Sequence, residues 1–284
     1  MRTHGSIDVV PGAGPADHLC WVYEDDAAFD AAAREFLAGG LARGERLLCV
    51  GERVIEGLRA PGARDLSDLI AEGTVETLTL AEAYEAAGPF LPEQQLAFYD
   101  AATKRALSAG YRGLRVIAEV SDLAADPAQR PDLVRWEHVA DGYAAHGSGF
   151  SAMCAYRADL GPEALADVAS VHPMVRAPEA VSSFRLFVDG HGLVLAGSVD
   201  RSSSERLARV LAATAVTDGV VVLDLAGLEF LDVAGCRVLA RWAAGLADRS
   251  VTVQVTGSSA LLRRMWRVLD LDQLAPVTFL EMPA

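Results

Sequence analysis

The sequence predicts an α/β protein of two domains, and three observations carry that expectation. Apolar runs of strand length alternate with longer stretches of helical periodicity, the pattern of a mostly parallel sheet covered by helices on both faces. At 284 residues the chain is long enough for two cores of ordinary size. A stretch at 173–183, with Pro173 and Pro178 and no periodicity, divides it.

The elements follow in order. Residues before His18 are rich in glycine and proline and read as a loose lead-in. His18-Leu19-Cys20-Trp21-Val22-Tyr23 reads as a strand. The acidic Glu24, Asp25 and Asp26 behind it suit the first turn of a helix, whose stripe is Phe29, Ala33, Phe36, Leu37 and Leu41 and which Gly44 stops. Residues 47–51 form a continuous apolar run, as in strands buried on both faces of a parallel sheet. Strands at 75–78, 114–120 and 150–156 then alternate with helices at 92–109, 133–146 and 163–171.

Beyond the divide, strands 184–188 and 193–199 make a hairpin around Asp189-Gly190-His191-Gly192. Ser202-Ser203-Ser204-Glu205 has the pattern of a capping box before a helix carrying Leu207, Val210 and Leu211. An apolar strand at 220–225 runs into the turn around Asp232, and a helix with Val238, Leu239, Trp242 and Leu246 on one face leaves it. A strand at 251–256, a helix at 258–269 and a strand at 277–280 complete the order ββαβαβαβ.

Composition narrows the function. The chain is 51% hydrophobic and 23% charged, which is globular, and its formal net charge of −14 sets it against nucleic-acid backbones and anionic membranes. Cys20, Cys49, Cys154 and Cys236 form no CxxC pair; the first three sit in strand-like apolar runs, where buried free thiols are common, and a reduced, cytoplasmic setting fits best. The N-terminus lacks the apolar core of a signal peptide, and no run is long enough to span a bilayer.

The stretch Phe230-Leu231-Asp232-Val233-Ala234-Gly235-Cys236 resembles the signature of STAS domains, the family of bacterial anti-sigma factor antagonists. In that family an Asp-Ser-Ser/Thr-Gly turn carries the serine that a partner kinase phosphorylates; here both hydroxyl positions are methyl-bearing. The order of elements over 184–280 and the strand end Gly197-Ser198-Val199-Asp200 fit the same family. The resemblance implies docking on an anti-sigma factor of the histidine-kinase-like ATPase class, with Asp200, Asp232, Val233, Ala234 and Gly235 as the partner-binding switch loop. It also implies that the usual phosphoserine control is missing.

The first half resembles the MEDS domain, a bacterial sensory module found in regulators, some of which respond to small halogenated or one-carbon compounds. Four segments carry the match: His18 to Glu24, the run Phe36-Leu37-Ala38-Gly39-Gly40-Leu41-Ala42-Arg43-Gly44-Glu45-Arg46, then Leu114-Arg115-Val116-Ile117-Ala118-Glu119, and Met153-Cys154-Ala155-Tyr156 with His172-Pro173. This resemblance implies a RecA-like three-layer domain at 16–176, a linker at 177–183 and a STAS domain at 184–284.

Enzyme chemistry is not expected. The loop after the 47–51 strand, Gly51-Glu52-Arg53-Val54-Ile55-Glu56, lacks Gly-Lys-Ser/Thr and carries two carboxylates that would repel phosphate. Trp21, Tyr23, Glu24, Arg115, Glu119 and Tyr156, with Trp136 and Glu137, are the expected walls and polar groups of a small-molecule effector pocket. Arg115 and Glu119 stand out because charges on an apolar strand need partners. His18, Cys20, Cys154 and His172 are chemically a soft-metal or zinc set if their strands are neighbours, although their spacing is scattered. No cofactor is expected, and a metal or small-molecule effector is left open, as is a homodimer. The expected function is a regulator whose sensor controls an antagonist output. The alternatives are a STAS-type scaffold subunit of a larger assembly and a zinc- or redox-responsive sensor of small organic molecules.

Overall fold

A computed structural model describes the chain except residues 1, 13, 15–16, 60–65, 85–89, 178–180, 182, 191, 215, 217–218 and 281–284. The chain divides into two compact units, Thr3–Val181 and Ser182–Ala284, the second joined by the first two residues.

The first unit is built on a seven-stranded sheet, parallel throughout: β1 (Gly5–Ser6), β2 (His18–Tyr23), β3 (Arg46–Val50), β4 (Val75–Leu78), β5 (Leu114–Glu119), β6 (Phe150–Arg157) and β7 (Met174–Arg176), in the spatial order β1-β7-β2-β6-β5-β3-β4. Among the described residues eight α-helices connect them: α1 (Asp26–Arg43), α2 (Glu52–Arg59), α3 (Leu66–Ala71), α4 (Leu80–Tyr84), α5 (Pro92–Ser108), α6 (Ser121–Ala125), α7 (Arg130–Ala145) and α8 (Pro162–Ala169). Strand parity separates two cores. Leu19, Trp21, Tyr23, Leu47, Ile117, Met153 and Ala155 pack with α1 and α2, where Phe29, Phe36, Val54 and Leu58 meet them. The opposite face packs on α5 and α7, where Tyr99 lies against Trp136 and Phe150. This is the expected three-layer α/β domain.

Two details differ from the sequence reading. Gly5–Ser6 is not loose lead-in but an edge strand, and Met174–Arg176, inside the stretch read as aperiodic, pairs with β1 on one side and β2 on the other. Met174 and Val175 are buried there, but strands of two and three residues are too short to show a period. Of the rest of the expected linker, 178–180 and 182 lie outside the described residues.

The second unit has a six-stranded mixed sheet: β8 (Phe184–Asp189), β9 (Gly192–Val199), β10 (Val220–Asp224), β11 (Leu228–Leu231), β12 (Thr252–Thr256) and β13 (Val277–Phe279). Among the described residues only the β8–β9 hairpin is antiparallel; His191 of its expected turn lies outside them. Its helices are α9 (Ser204–Ala213), α10 (Val233–Ala247), α11 (Ala260–Val268) and α12 (Leu271–Leu274). The expected order omits β11. β10 and β11 are successive parallel partners of β9, broken at Ala226-Gly227, so the strand that leads to the Asp232 turn comes in two pieces.

Candidate functional site

The most concentrated chemistry lies between the first sheet and helices α7 and α8. β2 opens with His18, and parity turns His18 and Cys20 away from the Leu19–Trp21–Tyr23 core. The register Cys20↔Cys154 and Val22↔Tyr156 places Cys154 and Tyr156 beside them on the same face. Across this face runs α7, whose Glu137 and Asp141, four residues apart, reach the same side. His18 lies between them, Nε2 at 3.2 Å from Glu137 Oε2 and Nδ1 at 3.3 Å from Asp141 Oδ1. His172, just after α8, hydrogen bonds through Nδ1 to the Val168 carbonyl at 2.8 Å and stacks on His18 with ring centroids 4.2 Å apart.

Glu137 is the hub of this cluster. Its Oε2 accepts from the Cys154 thiol at 3.1 Å and faces His172 Nε2 at 3.4 Å, while Oε1 accepts from the Tyr156 hydroxyl at 2.7 Å. His18, Glu137 and His172 are fully buried. Burial alone would raise the Glu137 carboxyl, but His172 and His18 together hold it well below the usual carboxylate range. For His18 burial opposes the charge and the carboxylates of Asp141 and Glu137 overcome it, so its pKa is raised. Burial and then His18 push His172 down. Burial, reinforced by Glu137, pushes the Cys154 thiol well up.

Of the four residues expected as metal ligands, the structure brings three together. Donor atoms of His18, Glu137, Cys154 and His172 all lie within 4.8 Å of one another. Cys20 is buried beside Cys154 on the neighbouring strand but contributes no atom to that group. Its place is taken by Glu137. The signal for Glu137 was present in the sequence: an acidic residue on a helix face whose other members, Leu133, Trp136, Ala140 and Ala144, are all core.

The residues expected to share a ligand pocket fall into separate places. Glu119 ends β5 at the carboxyl edge of the sheet, where it accepts from Tyr23 at 3.2 Å and from the Ser121 hydroxyl; Ser121 Oγ in turn accepts from Arg157 N at 2.8 Å. The chain leaves β2 toward β3 on one side and β6 toward β7 on the other, so the carboxyl ends of these adjacent strands lie at a topological switch point, where open α/β sheets bind ligands. Glu24 is exposed just beyond β2, and Trp21 stacks under the Arg176 guanidinium, 5.4 Å from its ring centroid. Where a nucleotide-binding fold would grip phosphate after this strand, Asp25 instead caps α1 by accepting from Ala28 N at 2.8 Å. Tyr156 belongs to the Glu137 cluster, and Trp136 is core.

Arg115 lies near the other end of β5. It is fully buried, with Nε donating to Glu45 Oε2 at 2.6 Å, Nη2 donating to the Gly14 carbonyl at 3.1 Å and lying 3.5 Å from Asp17. Its guanidinium sits 4.5 Å from the Phe36 ring centroid. A β-carbon on Gly40 would come within 2.6 Å of Arg115 Cδ, so a glycine in mid-helix makes room for this ion pair.

In the second unit, Asp232 is the N-cap of α10 and accepts from Gly235 N at 2.9 Å. Gly235 is closely packed: a β-carbon there would lie 2.3 Å from Leu231 Cδ1, so the Leu231 side chain would have to shift to admit one. Val233 is 39% exposed and Phe230, at the end of β11, 54% exposed, so the turn presents apolar groups to solvent. The expected capping box is replaced by another device: Ser203, at the N-cap of α9, makes no side-chain cap bond. Instead the Asp200 carboxylate accepts from Ser202 N at 2.9 Å, Ser202 Oγ at 2.6 Å and Ser203 Oγ at 3.0 Å. Those hydrogen bonds lower its pKa.

Comparison with known proteins covers both units. A family model described as MEDS, MEthanogen/methylotroph, DcmR Sensory domain matches residues 17–173, more than half of the chain. A second, described as Mlab, STAS domain, matches residues 187–280. No curated protein matches the chain. Among the described residues no helix is long and apolar enough to cross a membrane.

Proposed function

This chain belongs to the MEDS sensory-domain family and carries a STAS domain behind it, and on that premise we propose how a signalling regulator of the anti-sigma antagonist type works without a phosphoserine. The STAS domain docks through the Asp232 turn on an anti-sigma factor of the histidine-kinase-like ATPase class. An effector bound by the MEDS domain sets whether docking occurs.

The observation that supports this reading is the turn itself. Its cap, its helix start and its close-packed Gly235 are intact, while the position after the cap is an exposed valine next to an exposed phenylalanine. A phosphoserine there would add about −1.5 to −2 charge and repel an acidic partner surface. Val233 and Ala234 cannot take that charge, so the docking surface stays apolar and control passes to the other domain. The switch point at the ends of β2, β5 and β6, where Tyr23, Glu119, Ser121 and Arg157 meet, is the place for a small polar effector.

The test is calorimetric titration of the full chain with the candidate anti-sigma kinases of its own organism, with ATP present and intact mass read on the same samples. Saturable binding with no gain of phosphate mass supports the proposal. Val233→Asp, which places a carboxylate where a phosphate would stand, is expected to weaken that binding about tenfold or more, a loss of roughly 1.4 kcal/mol. Binding to none of the kinases would overturn the antagonist reading in favour of a scaffold. A mass gain of phosphate would overturn the phosphorylation-independent part.

A further inference from the structure

We propose that His18, Glu137, Cys154 and His172 form a closed four-ligand site for a divalent transition-metal ion, with zinc as the ion the set suits best. The site stands apart from the docking proposal, and either can fail without the other.

Geometry carries the argument first. Zinc bonds of about 2.0–2.3 Å to nitrogen, oxygen and sulfur, arranged tetrahedrally, put the ligand atoms about 3.3–3.6 Å from one another. Four of the six separations among these side chains are close to that size: 3.2 Å for His18 Nε2 to Glu137 Oε2, 3.1 Å for Cys154 Sγ to the same oxygen, 3.4 Å for His172 Nε2 to it, and 3.7 Å for Cys154 Sγ to His18 Nε2; the other two, from His172 to His18 and to Cys154, are within 4.8 Å. The residues come from two strands, a helix and the turn after another, so rigid elements hold each one.

The outer contacts point the same way. Ligating histidines donate their second ring N–H to a carboxylate or a backbone carbonyl, which fixes the tautomer and turns the other nitrogen to the metal. Here His18 Nδ1 faces Asp141 and His172 Nδ1 the Val168 carbonyl. The second oxygen of Glu137 is held by Tyr156. Three of the four ligands thus have an orienting partner behind them, and the four donor atoms lie within 4.8 Å of one another.

A proton could serve only part of this arrangement. Placed on His18 Nε2 it satisfies one contact to Glu137, yet His172 Nε2, fully buried and 3.4 Å from the same Glu137 oxygen, makes no well-formed hydrogen bond among the described residues. A divalent ion engages all four atoms at once. With Cys154 as thiolate, Glu137 as carboxylate and both imidazoles neutral, the ion and its ligands sum to zero charge, which suits a site with no exposure to water. The thiol proton, and the proton on His18 Nε2 where that nitrogen carries one, are released to solvent on binding. Two imidazoles, one thiolate and one carboxylate are ligands that zinc takes readily, and a hard cation such as magnesium does not.

The experiment uses the full chain, prepared in zinc-supplemented medium and stripped of loose metal by gel filtration, with bound metal measured by mass spectrometry. One equivalent per chain is expected. Reconstitution with cobalt(II) is expected to give the visible bands of a tetrahedral ion together with a thiolate-to-cobalt charge-transfer band. Cys154→Ser should remove the charge-transfer band, and Tyr156→Phe, which leaves all four ligands in place, should weaken retention against a chelator by about 10–100-fold. Replacement of the distant His146 should change neither. A folded wild-type chain that binds neither zinc nor cobalt would overturn the proposal and leave a proton-held cluster. So would cobalt binding without the thiolate band, a result that does not depend on any variant folding.

Discussion

Glu45 and Arg115 show how a buried charge is tolerated here and what its loss would do. Arg115 gives its Nε to Glu45 and, among the described residues, has besides it a 3.5 Å approach to Asp17 and one backbone carbonyl. Removing one partner of a buried pair leaves an uncompensated charge, so Glu45→Ala is expected to destabilise the first unit by about 3 kcal/mol in chemical denaturation, the low end because Asp17 remains. Replacing both, as Glu45→Leu with Arg115→Met, should return stability to within about 1–2 kcal/mol of the wild type. If the double variant were as unstable as the single, the ion pair would be making a contribution that its charges do not explain. Glu119 gives a pH-dependent counterpart. Burial raises its pKa, with Ser121, Arg157 and Tyr23 opposing the shift and Asp122 adding to it. Because the folded value lies above the unfolded one, the group favours the folded state most below the ordinary carboxylate range, and that contribution is lost as pH rises through the folded value. Glu119→Gln should therefore be more stable than wild type at neutral pH, with the difference shrinking as pH falls through the carboxylate range. A difference that grew on acidification would mean that the ionised form is the favoured one.

The elements that sequence made legible are those long enough to show a period. The expected strands at 114–120 and 150–156 and helices at 92–109 and 133–146 are present as β5, β6, α5 and α7, displaced by a few residues at their ends. What escaped has physical reasons. β1 and β7 are too short to alternate, and α2 carries its buried face on little more than Val54 and Leu58 among charged residues. The β11 segment was hidden because Ala226-Gly227 interrupts one run along β9. The Glu137 cluster depended on pairing that no local pattern contains: β2 lies between β6 and β7, so His18 meets Cys154 across 136 residues of chain. Residue chemistry could propose His18, Cys154 and His172, yet only strand order could choose Glu137 over Cys20. By contrast, the separation of Arg115 from Glu119 was available from strand geometry. Four residues of strand span about 13 Å, too far for both to line one small pocket from the same end of the sheet.

Each of the two units closes its own sheet around its own core, with the first burying Leu19, Phe36 and Ile117 and the second Leu186, Leu195 and Leu239. Cores that share no side chains need not melt together, and multidomain chains commonly depart from a single two-state transition for that reason. The full chain is therefore expected to unfold in two calorimetric steps. Lesions can assign them: Glu45→Ala should lower the midpoint of one step by several degrees, since about 3 kcal/mol corresponds to roughly 6–12 °C in a domain of this size. The other step should stay where it is. If the Glu137 cluster holds zinc, a chelator should move the same step that Glu45→Ala moves, because a ligand that binds only the folded unit stabilises that unit alone. Val233→Asp, at an exposed position of the second unit, should move neither by more than a degree or two, so its effect on docking would report the surface and not the fold. A single transition that shifts as a whole with every lesion would show that the units unfold as one, and a sensor change could then reach the docking turn through stability alone.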